Sequence, residues 1–127
     1  ASDVLDEEIL DACPATHSRV GWTAELEEFH HDVGGTAEIV NDCTVVIRDF
    51  TYDGTGFDVR IYGGSGGVFD PPTGFPMTDD LLRPEPYDGE LLVATLPDGR
   101  TLDDLEDISV WCVDVGADFG SGTFGPP

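Results

Sequence analysis

The chain contains no lysine. Its five basic residues are all arginines, and they stand against 27 aspartates and glutamates, so the formal net charge is −22 over 127 residues. Such a chain lacks the positive charge that neutralises a phosphate backbone, and we expect no nucleic-acid partner. An anionic membrane surface is disfavoured for the same reason. The charge predicts a solubilising surface whose self-repulsion a saline setting or bound divalent cations would relieve.

Long apolar runs and hydrolase or transferase motifs are missing as well. No stretch approaches the roughly 18 apolar residues of a membrane helix, so we expect a chain that does not span a membrane. P-loop and H-E-x-x-H motifs are absent. Pairs of carboxylates are too common here to indicate catalysis. At most a redox or electron-transfer activity is expected.

Cysteine is scarce, with Cys13, Cys43 and Cys112 as the only three. They allow one disulfide and one remaining thiol, in three possible pairings. No C-x-x-C occurs, which argues against a zinc ribbon or a thioredoxin-type dithiol. The first residues, ASDV, fit a mature N-terminus left by signal cleavage as well as an arbitrary boundary.

The segment 108–124 organises the chain. Its first six residues alternate between two faces of a predicted strand, with Ile108, Val110 and Cys112 on one face and Ser109, Trp111 and Val113 on the other. Apolar residues on both faces predict a strand that is covered on both sides. The run Gly116–Gly120 that follows predicts a tight turn that ends the strand.

The remaining segments predict short strands separated by glycine, proline, asparagine and aspartate turns. The chain begins with a short amphipathic helix that starts after Ser2 or Asp3 and stops before Pro14, followed by a strand or irregular segment over 20–33. A hairpin of 35–40 and 43–50 around Asn41-Asp42 comes next. It is followed by a strand over 58–62, a loop over 63–86, a strand over 90–96, and a capped helical turn from Thr101. This pattern predicts an all-β antiparallel β-sandwich or small barrel with a short N-terminal helical arm. We expect two parts, an acidic arm over 1–19 and a β-sandwich domain over 20–127.

Metal ligands can be assembled from the sequence in two ways. His30 or His31 with Cys112 and Met77 would suit copper or an axial haem pair chemically, but their order along the chain does not match a cupredoxin, and neither copper nor haem is expected. Three carboxylates, on Asp49, Asp53 and Asp58, bracket a glycine-rich turn and are candidate calcium ligands. The alternative is that the pair Asp53-Gly54 only forms a tight turn.

Four separated motifs resemble those of one known family. They are residues 31–40 (HDVGGTAEIV), 49–59 (DFTYDGTGFDV), 96–105 (LPDGRTLDDL), and SVWC at 109–112 with Phe119-Gly120. In this order they resemble the DM-thirteen domain of Skeletor-like proteins, over roughly residues 28–124. The resemblance implies an extracellular or periplasmic β-sandwich with an electron-transfer role, and it places the family's presumed redox cysteine at Cys112.

Two function hypotheses follow, and they differ in what Cys112 does. The first is a secreted redox or electron-transfer domain centred on Cys112, with Trp111 beside it; it loses its free thiol if Cys13 is bonded to Cys112. The second is a non-catalytic extracellular structural or adhesion module, associated with a matrix or biomineral and bridged by calcium. In that module Cys112 is a buried core residue or part of a structural disulfide. For either one, we expect an extracellular protein or matrix as the partner.

Overall fold

The computed structural model describes residues 7–127, which form one short helix and nine strands. The helix α1 spans Glu7–Leu10, and a single 3₁₀ turn spans Leu102–Asp104. The strands are β1 (Thr23–Glu25), β2 (Glu27–Glu28), β3 (Gly34–Asn41), β4 (Thr44–Tyr52), β5 (Val59–Gly64), β6 (Phe75–Pro76), β7 (Tyr87–Thr95), β8 (Asp107–Cys112) and β9 (Ala117–Thr123).

The strands form two sheets in which every neighbouring pair is antiparallel. The first sheet has the order β1-β3-β4-β7 and the second the order β2-β9-β8-β5-β6. The predicted β-sandwich is therefore confirmed, and the sheets do not close into a barrel. No helix in the described part of the chain is long and apolar enough to cross a membrane.

Strand β8 lies inside the second sheet, between β5 and β9, and all six of its residues are buried. Ile108, Val110 and Cys112 face the core between the sheets. Trp111 faces the outside of the sheet, where it packs with Tyr62 and Phe69 in a second, smaller apolar cluster. The predicted burial of this strand on both faces is confirmed.

The segment 63–86 is irregular over most of its length, as predicted, and it covers both faces of the second sheet. Its only strand beyond the end of β5 is the two-residue β6, which pairs with β5. Phe69 covers Trp111 on the outside, whereas Phe75, Met77 and Leu81 enter the main core. The long loop therefore supplies the apolar cover that β8 requires on its outer face.

The predicted turn at Gly116–Gly120 is wrong beyond its first residue. The turn occupies residues 113–116, and Ala117 already begins β9, which pairs with β8. The later glycines serve close packing: a Cβ at Gly120 would lie 2.8 Å from the carbonyl oxygen of Glu27, and one at Gly122 would lie 2.1 Å from that of Glu25. At these positions glycine does not form a turn; it permits the close approach of two backbones.

Two local predictions are confirmed with small shifts in their bounds. The hairpin of β3 and β4 turns at Asp42 and Cys43, one residue later than predicted. At Thr101 a capping box forms: the Thr101 hydroxyl accepts from the backbone N–H of Asp103, and the carboxylate of Asp104 accepts from the backbone N–H of Thr101. The resulting 3₁₀ turn leads into β8, as the sequence indicates.

The N-terminal arm is attached to the β3–β4 turn. Cys13 and Cys43 form a disulfide, the amide of Asn41 donates to the carbonyl of Ile9 at 2.9 Å, and the carboxylate of Asp42 accepts from the backbone of Thr16 at 2.9 Å. The helix is only one turn long and ends well before Pro14; its predicted start at Ser2 or Asp3 lies outside the described residues.

Replacing Gly122 tests the close approach of the two backbones. Gly122→Ala should lower the free energy of unfolding by roughly 1–3 kcal/mol, because the methyl group must displace the Glu25 carbonyl. Gly125→Ala is the matched control, since no atom lies within 4 Å of its added Cβ. Urea denaturation of both variants measures the difference, and equal stabilities would contradict this packing.

Removing the disulfide tests how strongly the arm is held. The bond closes a loop with a sequence separation of 30 residues. The double variant Cys13→Ser, Cys43→Ser should therefore lose about 3–4 kcal/mol of unfolding free energy, by the loop-entropy relation. Reductant should destabilise the wild type and leave the double variant unchanged. A wild type insensitive to reductant would show that the bond is absent or without effect on stability.

Candidate redox site at Cys112

The Cys112 thiol lies at the end of β8 and is buried, with 2% of the residue exposed. Its Sγ donates a hydrogen bond to the carbonyl oxygen of Phe57 at 3.1 Å. Since Cys13 is bonded to Cys43, Cys112 is the free cysteine of the chain. The condition that the redox hypothesis sets, a free thiol at this position, is met.

The loop that covers the thiol, residues 53–58, is fixed by its own hydrogen bonds. The Asp53 carboxylate accepts from the backbone N–H of Thr55 at 2.9 Å and from its hydroxyl at 2.8 Å. Gly54 has a φ of +80°, and a Cβ there would lie 2.7 Å from the carbonyl oxygen of Arg83. Asp53 and Gly54 therefore form a tight turn, and this turn holds the Phe57 carbonyl over the sulfur.

His31 extends this site to the surface. Its Nδ1 lies 2.8 Å from Asp53 Oδ2 and 3.2 Å from the Thr55 hydroxyl. The ring lies over Phe119, with a centroid distance of 4.1 Å. Burial acts to raise the pKa of Asp53, but the hydrogen bonds from Thr55 and His31 outweigh it and hold that pKa below its usual value. Asp53 thus remains an anion that both His31 and the loop depend on.

Tyr52 contacts both the loop and this histidine. Its hydroxyl donates to the Thr55 carbonyl, and its ring lies 6.4 Å from those of His31 and Phe119. Burial raises the pKa of Tyr52, and the charge of Asp53 raises it further. Tyr52 therefore stays protonated as a hydrogen-bond donor to the loop.

Trp111 does not share this site. It is adjacent to Cys112 in sequence, but its side chain lies on the opposite face of the sheet, with ring centroids 5.7 Å from Phe69 and 6.4 Å from Tyr62. The structure therefore places the two residues of the sequence-based redox site in separate clusters. The groups around the thiol are instead Tyr52 and the loop 53–58.

The candidate calcium ligands have separate environments. Asp53 binds His31 and Thr55, Asp58 accepts from Arg60 Nε at 2.7 Å, and Asp49 is exposed at an irregularity of β4, with a φ of +54°. Within residues 7–127, no group of three or more Asp, Glu, His or Cys side chains is arranged to hold a metal ion. The structure does not bring these three carboxylates together as a site.

The other candidate metal ligands are also dispersed. His30 contacts Phe119 edge-on, with a centroid distance of 6.4 Å, and Met77 is buried in the core. His30 and His31 lie in a turn rather than in a strand, so that both rings reach Phe119. These residues act as packing and hydrogen-bonding groups in this structure.

Sequence reasoning missed Tyr52, Thr55 and the Phe57 carbonyl as parts of the site. The sequence marks the motif that holds them, 49–59, by its glycines, its candidate calcium ligands and its family resemblance. The pairing of Val59 with Cys112 is what brings the loop to the thiol. A strand-pairing register of this kind, between residues 53 positions apart, has no local sequence signal.

Comparisons with known proteins show the family of this chain. Residues 25–124 match the family described as Electron transfer DM13. Two forms of the protein Skeletor of Drosophila melanogaster, isoforms B/C and D/E, are each 28% identical over 112 residues, covering 80% of this chain and 13% and 7% of their own lengths. A cytochrome b561, DM13 and DOMON domain-containing protein of Arabidopsis thaliana is 27% identical over 112 residues, covering 87% of this chain and 12% of its own length.

The chain thus spans only a small part of the length of these curated relatives. No solved structure matches it. The family match covers most of the chain, from β1 to the residue after β9, and includes the free cysteine and the loop that covers it. The chain belongs to the DM13 electron-transfer family.

Proposed function

We propose that this chain is an extracellular redox module whose redox group is the Cys112 thiol. The observation that carries the proposal is the division of the three cysteines. Cys13 and Cys43 form a disulfide that attaches the arm, and Cys112 is left free under a hydrogen-bonded loop. A stable structural disulfide also favours an oxidising compartment, which supports a secreted location.

The surroundings of the thiol indicate which kind of chemistry it performs. A thiolate nucleophile needs positive neighbours. Arg60 lies on the neighbouring strand, but it pairs with Trp111 rather than with Cys112 and binds Asp58. Exchange with another thiol, or oxidation by a peroxide, requires contact with the sulfur. We therefore infer that Cys112 reacts when the loop 53–58 opens, rather than through a permanently activated thiolate.

Two exposed apolar side chains mark the face at which a partner would reach this loop. Phe57 is 72% exposed and Val115 is 67% exposed. Phe57 belongs to the loop over the thiol, and Val115 lies in the β8–β9 turn three residues after Cys112. In the Arabidopsis relative, as its name states, a DM13 domain shares a chain with a cytochrome b561 domain. We propose a redox protein of this kind as the partner.

The first test is a thiol count with a mapped disulfide and a redox measurement. We expect one thiol per chain, at Cys112, and a redox signal in protein-film voltammetry that Cys112→Ser abolishes. The Cys13→Ser, Cys43→Ser double variant should keep that signal. A wild type without a signal, or a signal that survives Cys112→Ser, would overturn the redox role.

The second test addresses the loop. Asp53→Ala removes the carboxylate that binds both Thr55 and His31, and loss of charge-assisted hydrogen bonds worth about 1.5–3 kcal/mol should speed alkylation of Cys112 in the folded protein by roughly ten-fold or more. Asp103→Ala is the matched control. Asp103 also pairs with a histidine, at 2.9 Å, but that histidine, His17, lies on the N-terminal arm, away from the loop. Equal alkylation rates in the two variants would show that the loop does not control access.

The alternative is a structural module of an extracellular matrix, bridged by calcium. The net charge of −22 and the disulfide favour it. It would be supported by a Cys112 that is inert until global unfolding, together with a melting temperature that rises with calcium and not with an equal ionic strength of sodium. The same alkylation and voltammetry experiments therefore separate the two functions.

A further inference from the structure

A cavity of about 440 Å³ lies at the opposite end of β8 from Cys112. Its lining includes Arg19, Trp22, Leu105, Glu106 and Phe124. Glu106 directly precedes β8, and Cys112 ends it. At about 3.3 Å per residue the two positions are separated by roughly 20 Å along the strand. The cavity is therefore distinct from the thiol site, and its role does not depend on that of Cys112.

Arg19 presents unused donors to this cavity. Its Nη1 donates to the carbonyls of Leu102 at 2.7 Å and Leu105 at 3.1 Å, whereas its Nε and Nη2 form no hydrogen bond with the described residues. No buried side-chain nitrogen in the described chain is without a partner, so these two atoms are open to solvent. Two carbonyls thus fix the guanidinium, and a fork of N–H groups suited to a carboxylate remains free.

Three of the five arginines pair with a carboxylate, whereas Arg19 and Arg100 bind carbonyls instead. Arg48, Arg60 and Arg83 each form an ion pair with a carboxylate. In the part of the chain that the structure describes, Arg19 pairs with no carboxylate, although the chain carries 27 of them. Within residues 7–127, the cavity therefore holds a fixed cation that forms no ion pair.

The two carboxylates that line the cavity, on Glu106 and Asp107, differ in how many of their oxygens accept hydrogen bonds. Both carboxylate oxygens of Asp107 are engaged, by the backbone N–H of Gly67 at 2.7 Å and the hydroxyl of Thr123 at 2.6 Å. Glu106 uses only Oε1, which accepts from the backbone N–H of Gly66 at 3.1 Å. Arg19 and Glu106 line the same cavity without forming an ion pair with each other. The apolar side chains of Trp22, Leu105 and Phe124 line the same cavity.

We propose that this cavity binds a small apolar zwitterion, namely a free α-amino acid or a short peptide. The carboxylate of the ligand would pair with Arg19, its ammonium group with Glu106, and its apolar side chain with the aromatic and leucine surfaces. Net neutrality matters, because a chain of charge −22 repels a simple anion, and a simple cation would leave the guanidinium of Arg19 without a counter-ion. A ligand that carries both charges meets neither penalty.

The test compares three probes that share the phenylalanine side chain and differ in the charges at its α-carbon: L-phenylalanine, N-acetyl-L-phenylalanine and L-phenylalanine amide. Backbone amide shifts around Trp22 and Leu105, together with tryptophan fluorescence, follow the binding. We expect saturable binding of phenylalanine, and affinities about ten-fold lower for each probe with a single charge, since each lost charge contact is worth on the order of 1.4 kcal/mol. The dipeptide leucyl-phenylalanine, added in the same way, distinguishes a peptide site from an amino-acid site.

Variants assign the two ends of the ligand. Arg19→Gln should weaken phenylalanine and N-acetylphenylalanine, and Glu106→Gln should weaken phenylalanine and its amide. Arg100→Gln is the matched control, since Arg100 also binds a carbonyl, that of Pro72, and stacks on Phe75 outside this cavity. If Arg19→Gln fails to fold, Glu106→Gln decides the question alone, because glutamine keeps the acceptor for Gly66.

Three results would overturn the proposal. They are the absence of saturable shifts with phenylalanine and the dipeptide, equal affinities for all three charge forms, and binding that Glu106→Gln leaves unchanged. Each would leave Arg19 with the structural role of tying the arm to the 3₁₀ turn. None of them bears on the redox role, because none of these measurements reports on Cys112.

Discussion

The pairing of β5 with β8 is the constraint on which the thiol site depends. Six consecutive residue pairs, from Val59 opposite Cys112 to Gly64 opposite Asp107, run without a register shift. A slip of one residue would turn Cys112 to the outer face of the sheet and Trp111 into the core. Because both faces of β8 are buried, the whole ladder resists such a slip. The hydrogen bond from the thiol to the Phe57 carbonyl is a consequence of that register.

A strand buried on both faces in a two-sheet sandwich needs a third layer, and the glycine-rich segment 63–86 provides it. It does so by packing backbone against backbone. A Cβ at Gly64 would lie 2.2 Å from the Val68 carbonyl oxygen, and one at Gly74 would lie 1.8 Å from that of Phe69. The turn between them places Phe69 over Trp111. Glycine in this loop is therefore a packing requirement, which explains why so long a segment is irregular and yet ordered.

The sequence predicts those parts of the fold that have local signals. Alternation identifies β8 and its two faces, the asparagine-aspartate pair locates the first hairpin, and Thr101 with Asp104 identifies a capped turn. The errors arise where one residue type serves two purposes, as at Gly120, which permits close packing within a strand. The contact between Phe57 and Cys112 and the choice among three disulfide pairings depend on how distant strands align, and neither has a signal in the local sequence.

The extreme acidity of the chain has a structural use that bears on the chemistry of Cys112. With few cations available, carboxylates serve as acceptors for backbone N–H groups: Asp42 for Thr16 and His17, Asp53 for Thr55, Asp107 for Gly67. Carboxylates that are engaged separately in this way do not converge on a metal ion. The arginines, in turn, bind carboxylates or carbonyls rather than the thiol. In the redox role that we propose, the reactivity of Cys112 is accordingly a matter of access, set by how firmly Asp53 holds the loop above it.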